Sequence, residues 1–253
     1  MLPCCPRSAR GKPVAAKLRH EVGTERSPAR AQHERVLDFV LPRRCAACGR
    51  SGTACCEHCR ARFVRLFPPV CERCGAPGAW PVRRCAECSG RRLGFAQARA
   101  AILYEAHAKT VVRAWKENGR RDLSRVVAEL VAEVVTRPDA DMLTYVPGER
   151  DRVLRRGHAT PERLAAELAR IWSLPVEPLL HRSRHVLPQR GLSLMERRRN
   201  VAGAFAAAGR MAGVVALVDD VYTTGSTVSA CAAALRRAGA NRVDVVCLAR
   251  AVR

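Results

Sequence analysis

Long apolar segments are absent from this sequence of 253 residues. No apolar run reaches the roughly 20 residues that a helix needs to cross a membrane. Basic residues also interrupt the apolar stretch that a secretory signal would need near the start. These residues are Arg7, Arg10, Lys12, Lys17 and Arg19. The sequence therefore predicts a soluble, cytoplasmic protein without a membrane span, in which cysteines are metal ligands more often than disulfide partners.

Acidic residues, lysines and aromatic residues are all scarce. Asp and Glu number 23 against 45 Lys and Arg, which gives a formal net charge of +22, and only four of the basic residues are lysines. The excess predicts a polyanionic partner, such as nucleic acid, an anionic membrane surface or a phosphate-rich small molecule. The alternative is the arginine and alanine bias of a GC-rich genome. Aromatic residues make up 4% of the chain, which argues against extensive base stacking.

Composition divides the chain into three segments. Residues 1–34 carry seven basic and three acidic residues without apolar periodicity. They are predicted to be a disordered basic arm, or upstream sequence included by too early a start codon. Residues 35–92 contain nine of the 13 cysteines and few large apolar residues, so this small domain needs metal ions as staples. Residues 93–253 are predicted to form the main domain.

Four C-x-x-C pairs dominate the second segment. They are Cys45/Cys48, Cys56/Cys59, Cys71/Cys74 and Cys85/Cys88. This spacing lets two thiolates of one knuckle bind a single ion. An all-cysteine site leaves no open position for water, so we expect two structural Zn²⁺ ions in a double zinc ribbon. Two alternatives stay open here: the pairs can combine sequentially or cross-braced, and Cys55 can replace Cys56.

Apolar periodicity alternates between strand and helix from residue 93 onward. Strands are predicted at 98–104, 142–146, 214–218 and 242–248, and helices at 107–118, 123–135, 161–172 and 227–238. Alternating strands and helices are typical of an α/β fold with a mostly parallel sheet flanked by helices.

The most specific segment lies between Val214 and Thr227. An apolar strand ends in Asp219 and Asp220, and a loop rich in hydroxyl groups leads into a helix. Neighbouring carboxylates at the carboxyl end of a strand can each hold one hydroxyl of a ribose diol. Backbone N–H groups at a helix start bind phosphate, and a glycine lets the backbone approach it closely. The loop consists of Thr223, Thr224, Gly225, Ser226 and Thr227.

This segment resembles the phosphoribosyl-pyrophosphate (PRPP) motif of the type I phosphoribosyltransferases. The resemblance covers four apolar residues, two acids and a T-T-G-x-T loop. It implies that Asp219 and Asp220 bind the ribose 2′- and 3′-hydroxyls and that Thr223 to Thr227 hold the 5′-phosphate. It also implies a type I phosphoribosyltransferase fold for residues 93–253, and Mg²⁺ bound together with PRPP.

Other residues resemble one subgroup, the ComF family. Residues 114–119 read A-W-K-x-x-G, and a strand ending in Val146-Pro147 precedes an R-x-x-x-R-G pattern. The family pattern is further matched by Arg152, Arg156, Gly157, Arg197 and Asn200. His158-Ala159-Thr160 departs from the aromatic-Asn-Gln of the family. The resemblance implies tandem zinc ribbons ahead of the transferase domain, and it assigns Arg152, Arg156, Arg197 and Asn200 to loops that contact pyrophosphate or close over the site.

Membership of this family implies a role in natural competence and DNA uptake. We therefore expect a phosphoribosyl-binding protein with single-stranded DNA and DNA-uptake proteins as partners. The alternatives are a PRPP-dependent enzyme of nucleotide salvage or synthesis, and a non-catalytic DNA-binding or scaffold protein. Salvage enzymes for 6-oxopurines carry an aspartate where this chain has Thr223, which disfavours their mechanism. The sequence indicates neither the acceptor nor whether the phosphoribosyl transfer takes place.

Overall fold

The computed structural model of the protein describes residues 43–149, 153–154, 157–183 and 203–252. Within these ranges the helices are α1 (Glu57–Ala61), α2 (Ala106–Lys116), α3 (Leu123–Val134), α4 (Thr160–Trp172) and α5 (Ser226–Arg237). The strands are β1 (Gln97–Leu103), β2 (Met142–Tyr145), β3 (Leu180–Arg182), β4 (Phe205–Ala207), β5 (Val214–Tyr222) and β6 (Arg242–Arg250). Every helix in the described ranges is too short or too polar to traverse a bilayer.

The main sheet has the strand order β1-β6-β5-β2, and all neighbouring strands are parallel. The predicted α/β fold class is therefore confirmed, and each predicted strand and helix is present within a few residues. Two differences stand out. β5 and β6 continue beyond their predicted ends to Tyr222 and Arg250, and a short antiparallel hairpin of β3 and β4 was not predicted. Parallel strands bring all their carboxyl ends to one edge, where open α/β sheets bind ligands.

Helices cover both faces of the sheet, as the apolar composition of β5 requires. Side chains of a strand alternate between faces, and β5 is apolar on both. Val215 and Leu217 belong to the core that contains α5, whereas Ala216 and Val218 belong to the core that contains α2, α3 and α4. We call these the α5 face and the α2–α4 face.

The two cysteine-rich ribbons lie on opposite faces of this sheet. Cys59 and Phe63 of the first ribbon are buried in the core of the α2–α4 face, and Cys74 and Cys88 of the second are buried in the core of the α5 face. The described residues accordingly belong to one compact unit, Pro42–Arg253. The boundary between residues 92 and 93 remains a prediction from composition, and the ribbons share both cores with the sheet.

The chain passes from one ribbon to the other along the outer edge of β1. Leu66 N donates to Ala101 O at 2.9 Å, and Leu103 N donates to Val64 O at 2.8 Å. These bonds pair backbone groups that an edge strand would otherwise expose. The ribbons therefore cover one edge of the sheet as well as parts of both faces.

Candidate functional site

The eight paired cysteines form two tetrads. Each tetrad joins two consecutive C-x-x-C pairs, and its Sγ atoms all lie within 4.8 Å of one another. The first tetrad is Cys45, Cys48, Cys56 and Cys59, and the second is Cys71, Cys74, Cys85 and Cys88. Tetrahedral zinc with Zn–S bonds of about 2.3 Å places sulfurs about 3.8 Å apart. One sulfur pair in each tetrad is separated by 3.7 Å, so both tetrads fit a zinc ion, and the pairs combine sequentially.

Backbone N–H groups favour the thiolate form of one cysteine in each tetrad. Cys56 N donates to Cys45 Sγ at 3.4 Å, and Cys85 N donates to Cys71 Sγ at 3.3 Å. Burial acts to raise the pKa of both thiols, but the N–H groups outweigh it. The pKa of Cys45 falls to about 6 and that of Cys71 to about 7. The thiolate is the form that binds metal, so each tetrad contains one cysteine that is ready to bind an ion near neutral pH. Burial raises the pKa of Cys59, Cys74 and Cys88, which must lose their protons when an ion binds.

Cys55 lies outside the first tetrad, which resolves the choice between Cys55 and Cys56 geometrically. Its side chain is buried with Phe63 and Ile102 in the core of the α2–α4 face. Burial raises the pKa of the Cys55 thiol to about 12. Cys55 is therefore a neutral, apolar member of the core.

The two acids of the PRPP-like motif point to opposite faces of the sheet. β5 continues through them, so strand alternation directs Asp219 to the α5 face and Asp220 to the α2–α4 face. Asp220 Oδ2 lies 2.5 Å from Lys116 Nζ, at the end of α2, and accepts a hydrogen bond from Thr160 Oγ1, at the start of α4, at 2.7 Å. Its Oδ1 accepts from the Val221 N–H at 2.8 Å. Two helices therefore fix the position of one carboxylate.

Burial and charge shift the pKa values of these acids in opposite directions. Burial, followed by repulsion from Asp220, raises the pKa of Asp219 to about 7, against the weaker attraction of Lys116 and Arg182. Burial also acts to raise the pKa of Asp220. The ion pair with Lys116 and the Thr160 hydroxyl outweigh burial, and the pKa of Asp220 is lowered. Near neutral pH, Asp220 is ionised and Asp219 is close to its titration point.

The loop after β5 presents hydroxyl and amide groups at the start of α5. Thr224 Oγ1 and Ser226 Oγ are 2.8 Å apart, and both residues are buried. Gly225 has φ +71°, and a Cβ there would collide with the Tyr222 phenol. Only glycine combines this left-handed backbone with such close approach. The first turn of α5 adds the positive end of the helix dipole, so the loop suits a phosphate group.

Four predicted site residues lie outside the described residues. They are Arg152, Arg156, Arg197 and Asn200. The residues that depart from the family pattern, His158 to Thr160, are among the described residues. His158 is buried, and its Nε2 donates to the Trp115 carbonyl at 3.0 Å, because a carbonyl can only accept. Thr160 takes the place of the family's glutamine and bonds to Asp220.

Several side chains around the motif do not stand out in the sequence. Lys116 is part of the A-W-K-x-x-G pattern. Because lysine is rare in this chain, with only four in all, Lys116 could have been recognised as a candidate site residue. Arg91 Nη2 donates to the Thr224 carbonyl at 2.5 Å, and Arg250 is buried at the end of β6. Neither arginine stands out among so many others in the sequence.

Known proteins resemble the cysteine-rich segment and also most of the whole chain. Residues 36–90 match the family described as the double zinc ribbon domain. DNA utilization protein YhgH of Salmonella typhi is 30% identical over 207 residues, 77% of this chain and 89% of that protein. Competence protein F of Haemophilus influenzae is 29% identical over 210 residues, 78% of this chain and 90% of that protein.

Among solved structures, the glutamine PRPP amidotransferase from B. subtilis, complexed with ADP and GMP, is similar at 24% identity and a TM-score of 0.34. The similarity covers 51% of this chain and only 26% of that protein.

Proposed function

The chain belongs to the ComF family, and we propose that it binds PRPP or a related phosphoribosyl ligand at the carboxyl edge of its sheet, in the service of DNA uptake. The observation that carries the proposal is the juxtaposition of the buried Asp219–Asp220 pair with the hydroxyl-rich loop at the start of α5. Acids and phosphate-binding groups at one sheet edge match the two ends of a ribose 5-phosphate. The names of the relatives supply the link to DNA.

Asp219 and Asp220 differ in how many further hydrogen bonds they can accept from a ribose diol. Three donors already contact Asp220, namely Lys116, Thr160 and the Val221 N–H. Asp219 Oδ1 accepts from the Asp220 N–H at 2.9 Å. A carboxylate offers about four acceptor positions, so we expect Asp219 to receive more of the new hydrogen bonds. In this proposal Lys116 holds Asp220 ionised and in place.

The donor set also suits the Mg²⁺ that accompanies PRPP. Hard divalent cations prefer oxygen ligands, and Asp219 and Asp220 are buried carboxylates at the predicted ribose position. When bound, the ion neutralises charge on the pyrophosphate. The chain's own residues contribute orientation: Asp220 is held by α2 and α4, and Thr224 and Ser226 order the phosphate loop.

Calorimetry of PRPP with MgCl₂ tests the proposal. Wild-type protein should bind, and Asp220→Asn should weaken binding about 10- to 100-fold, since hydrogen bonds to charged groups contribute about 1.5–3 kcal/mol. Asp244→Asn is the matched control, because Asp244 is a buried acid paired with Arg242 at the start of β6, the opposite end of the sheet. Equal binding by wild type and Asp220→Asn, or none by wild type, would contradict the proposal.

Contact with single-stranded DNA is the second part of the proposal, and the second ribbon favours it. Trp80 is 69% exposed, and Arg83 and Arg84 near it are exposed as well. Arginines contact phosphates, and an exposed aromatic ring can stack on a base. An oligonucleotide titrated in the same calorimeter at two salt concentrations should bind less tightly at the higher one.

A further inference from the structure

The second cysteine tetrad meets the phosphate loop through one buried arginine. Arg250 is the last residue of β6 and is 1% exposed. Its Nη2 lies 3.4 Å from Cys74 Sγ and 2.7 Å from Glu87 Oε2. Its guanidinium carbon lies 4.4 Å from the centre of the Tyr222 ring, a cation–π distance. One side chain thus contacts Cys74 of one knuckle, Glu87 of the other knuckle of the same tetrad, and the end of β5.

Tyr222 lies between Arg250 and the phosphate loop. Its phenol lies directly against Gly225, where no Cβ would fit. Phe95 meets the same ring edge-on, with centroids 6.2 Å apart. The ring is therefore held between Arg250, Phe95 and Gly225, and a shift of the guanidinium would release the loop from its support.

Arg91 forms a second link between the same two parts. It follows the second tetrad in sequence, and its Nη2 donates to the Thr224 carbonyl at 2.5 Å. Its Nη1 donates to the backbone oxygen of Glu87 at 3.2 Å. The Cys85–Cys88 knuckle therefore carries Glu87, which holds Arg250, and also supports Arg91, which holds the loop.

A zinc ion bound by the second tetrad would join this knuckle to the Cys71–Cys74 knuckle. The sulfurs of the two knuckles face one another, Cys85 N donates to Cys71 Sγ at 3.3 Å, and structural zinc contributes folding free energy outright. Zinc loss would free the knuckle and with it both arginine links. The sulfur of a zinc-bound cysteine is a thiolate, so the bound ion also keeps an anionic partner beside the Arg250 cation.

We propose that the second zinc ribbon is part of the phosphate-binding site, with Arg250 as the positioning residue that transmits its support to the loop. The ligand side of this inference rests on the proposed function, but the support of the loop does not. The first tetrad lies on the opposite face of the sheet and serves as the internal comparison.

Amide hydrogen exchange tests the support of the loop without any ligand. Cys85→Ser and Cys48→Ser each remove the most accessible sulfur of one tetrad. Zinc content should fall by one ion in each variant. Cys85→Ser should speed exchange in peptides spanning residues 222–229 by about tenfold or more, and Cys48→Ser should speed it far less. Unchanged exchange after loss of the second zinc, or equal acceleration in both variants, would overturn the inference.

Arg250→Lys tests the transmitting residue and remains informative if Cys85→Ser fails to fold. Lysine keeps the positive charge but loses the planar contact with Tyr222 and the forked donors. We expect faster exchange at residues 222–229 and about tenfold weaker binding of both PRPP with Mg²⁺ and ribose 5-phosphate. Arg65→Lys, at an ion pair of the first ribbon, is the control and should change neither.

The two readouts separate the two proposals. If wild-type protein binds neither PRPP nor ribose 5-phosphate, the proposed function fails, and the exchange measurement still decides whether the second ribbon supports the loop. If wild type binds and Arg250→Lys matches it in binding and in exchange, the role of Arg250 is wrong and the proposed function stands.

Discussion

The two zinc ribbons have similar sequences and different surroundings. Each tetrad joins two C-x-x-C knuckles, yet the first covers the helices of the α2–α4 face and the second lies beside α5 and the phosphate loop. The first ribbon is tied to α3 by partly exposed ion pairs, such as Arg65 with Glu133. The second is tied to the sheet by the buried Arg250. A repeated motif can therefore close a core in one copy and support a ligand site in the other.

The largest difference between the ribbons is expected when their arginine links are removed. Arg250→Met should lower the free energy of unfolding by about 3–5 kcal/mol, because it leaves Glu87 and Cys74 without their buried cation. Arg65→Met should cost no more than about 1 kcal/mol, since its ion pair is partly exposed and surface pairs contribute little. Urea unfolding of both variants measures the contrast.

Zinc content must be measured on the same samples, because loss of the second ion would add to the cost of Arg250→Met. A similar cost for both substitutions would show that burial does not distinguish the two links. A large cost for Arg65→Met alone would reverse the comparison.

A smaller effect is expected from adding one methyl group where the second ribbon leads into the sheet. Gly94 N donates to Ser229 Oγ of α5 at 3.0 Å, and a Cβ at residue 94 would lie 2.7 Å from Ala233 N. Gly94→Ala should therefore cost about 1–3 kcal/mol by overpacking. Gly78→Ala, also in the second ribbon, meets only ordinary contact at 3.4 Å and should be nearly neutral. Thermal unfolding compares them, and equal midpoints would contradict the close packing of α5.

Local patterns predicted the strands, the helices and the cysteine knuckles, because each depends on residues close in sequence. Which face a ribbon occupies depends on where the chain crosses the β1 edge, and no local pattern encodes that. Arg250 and Cys74 are 176 positions apart, and nothing in the sequence distinguishes this arginine from the others. The β3–β4 hairpin has strands of three residues, too short for a periodic pattern. Asp219 and Asp220 were found because a buried strand running into two acids is rare.

The two faces of the sheet also differ in how they affect the adjacent acids Asp219 and Asp220. Asp219 points to the face of the second ribbon and has a pKa raised to about 7 by burial and by Asp220. Asp220 points to the face of the first ribbon and has a lowered pKa because Lys116 and Thr160 outweigh its burial. We expect Asp219→Asn to stabilise the protein at pH 8 and Asp220→Asn to destabilise it, each by on the order of 1–2 kcal/mol.

The contributions of Asp219 and Asp220 to stability depend on pH in opposite ways. The unfolded pKa of an aspartate is about 3.9, so the folded protein binds the Asp219 proton more tightly than the unfolded chain does. Its contribution to stability is full below pH 4, is lost as pH rises through about 7 and is a constant cost above that. Asp220 contributes stability above pH 4, and this is lost as pH falls through its lowered folded pKa.

Asp219→Asn should therefore stabilise the protein more at pH 8 than at pH 5, when urea unfolding is measured at both. A larger gain at pH 5 would mean that the pKa of Asp219 is not raised in the folded protein. Weaker PRPP binding in the same stabilised variant would show that the buried charge is kept for its ligand and not for the fold.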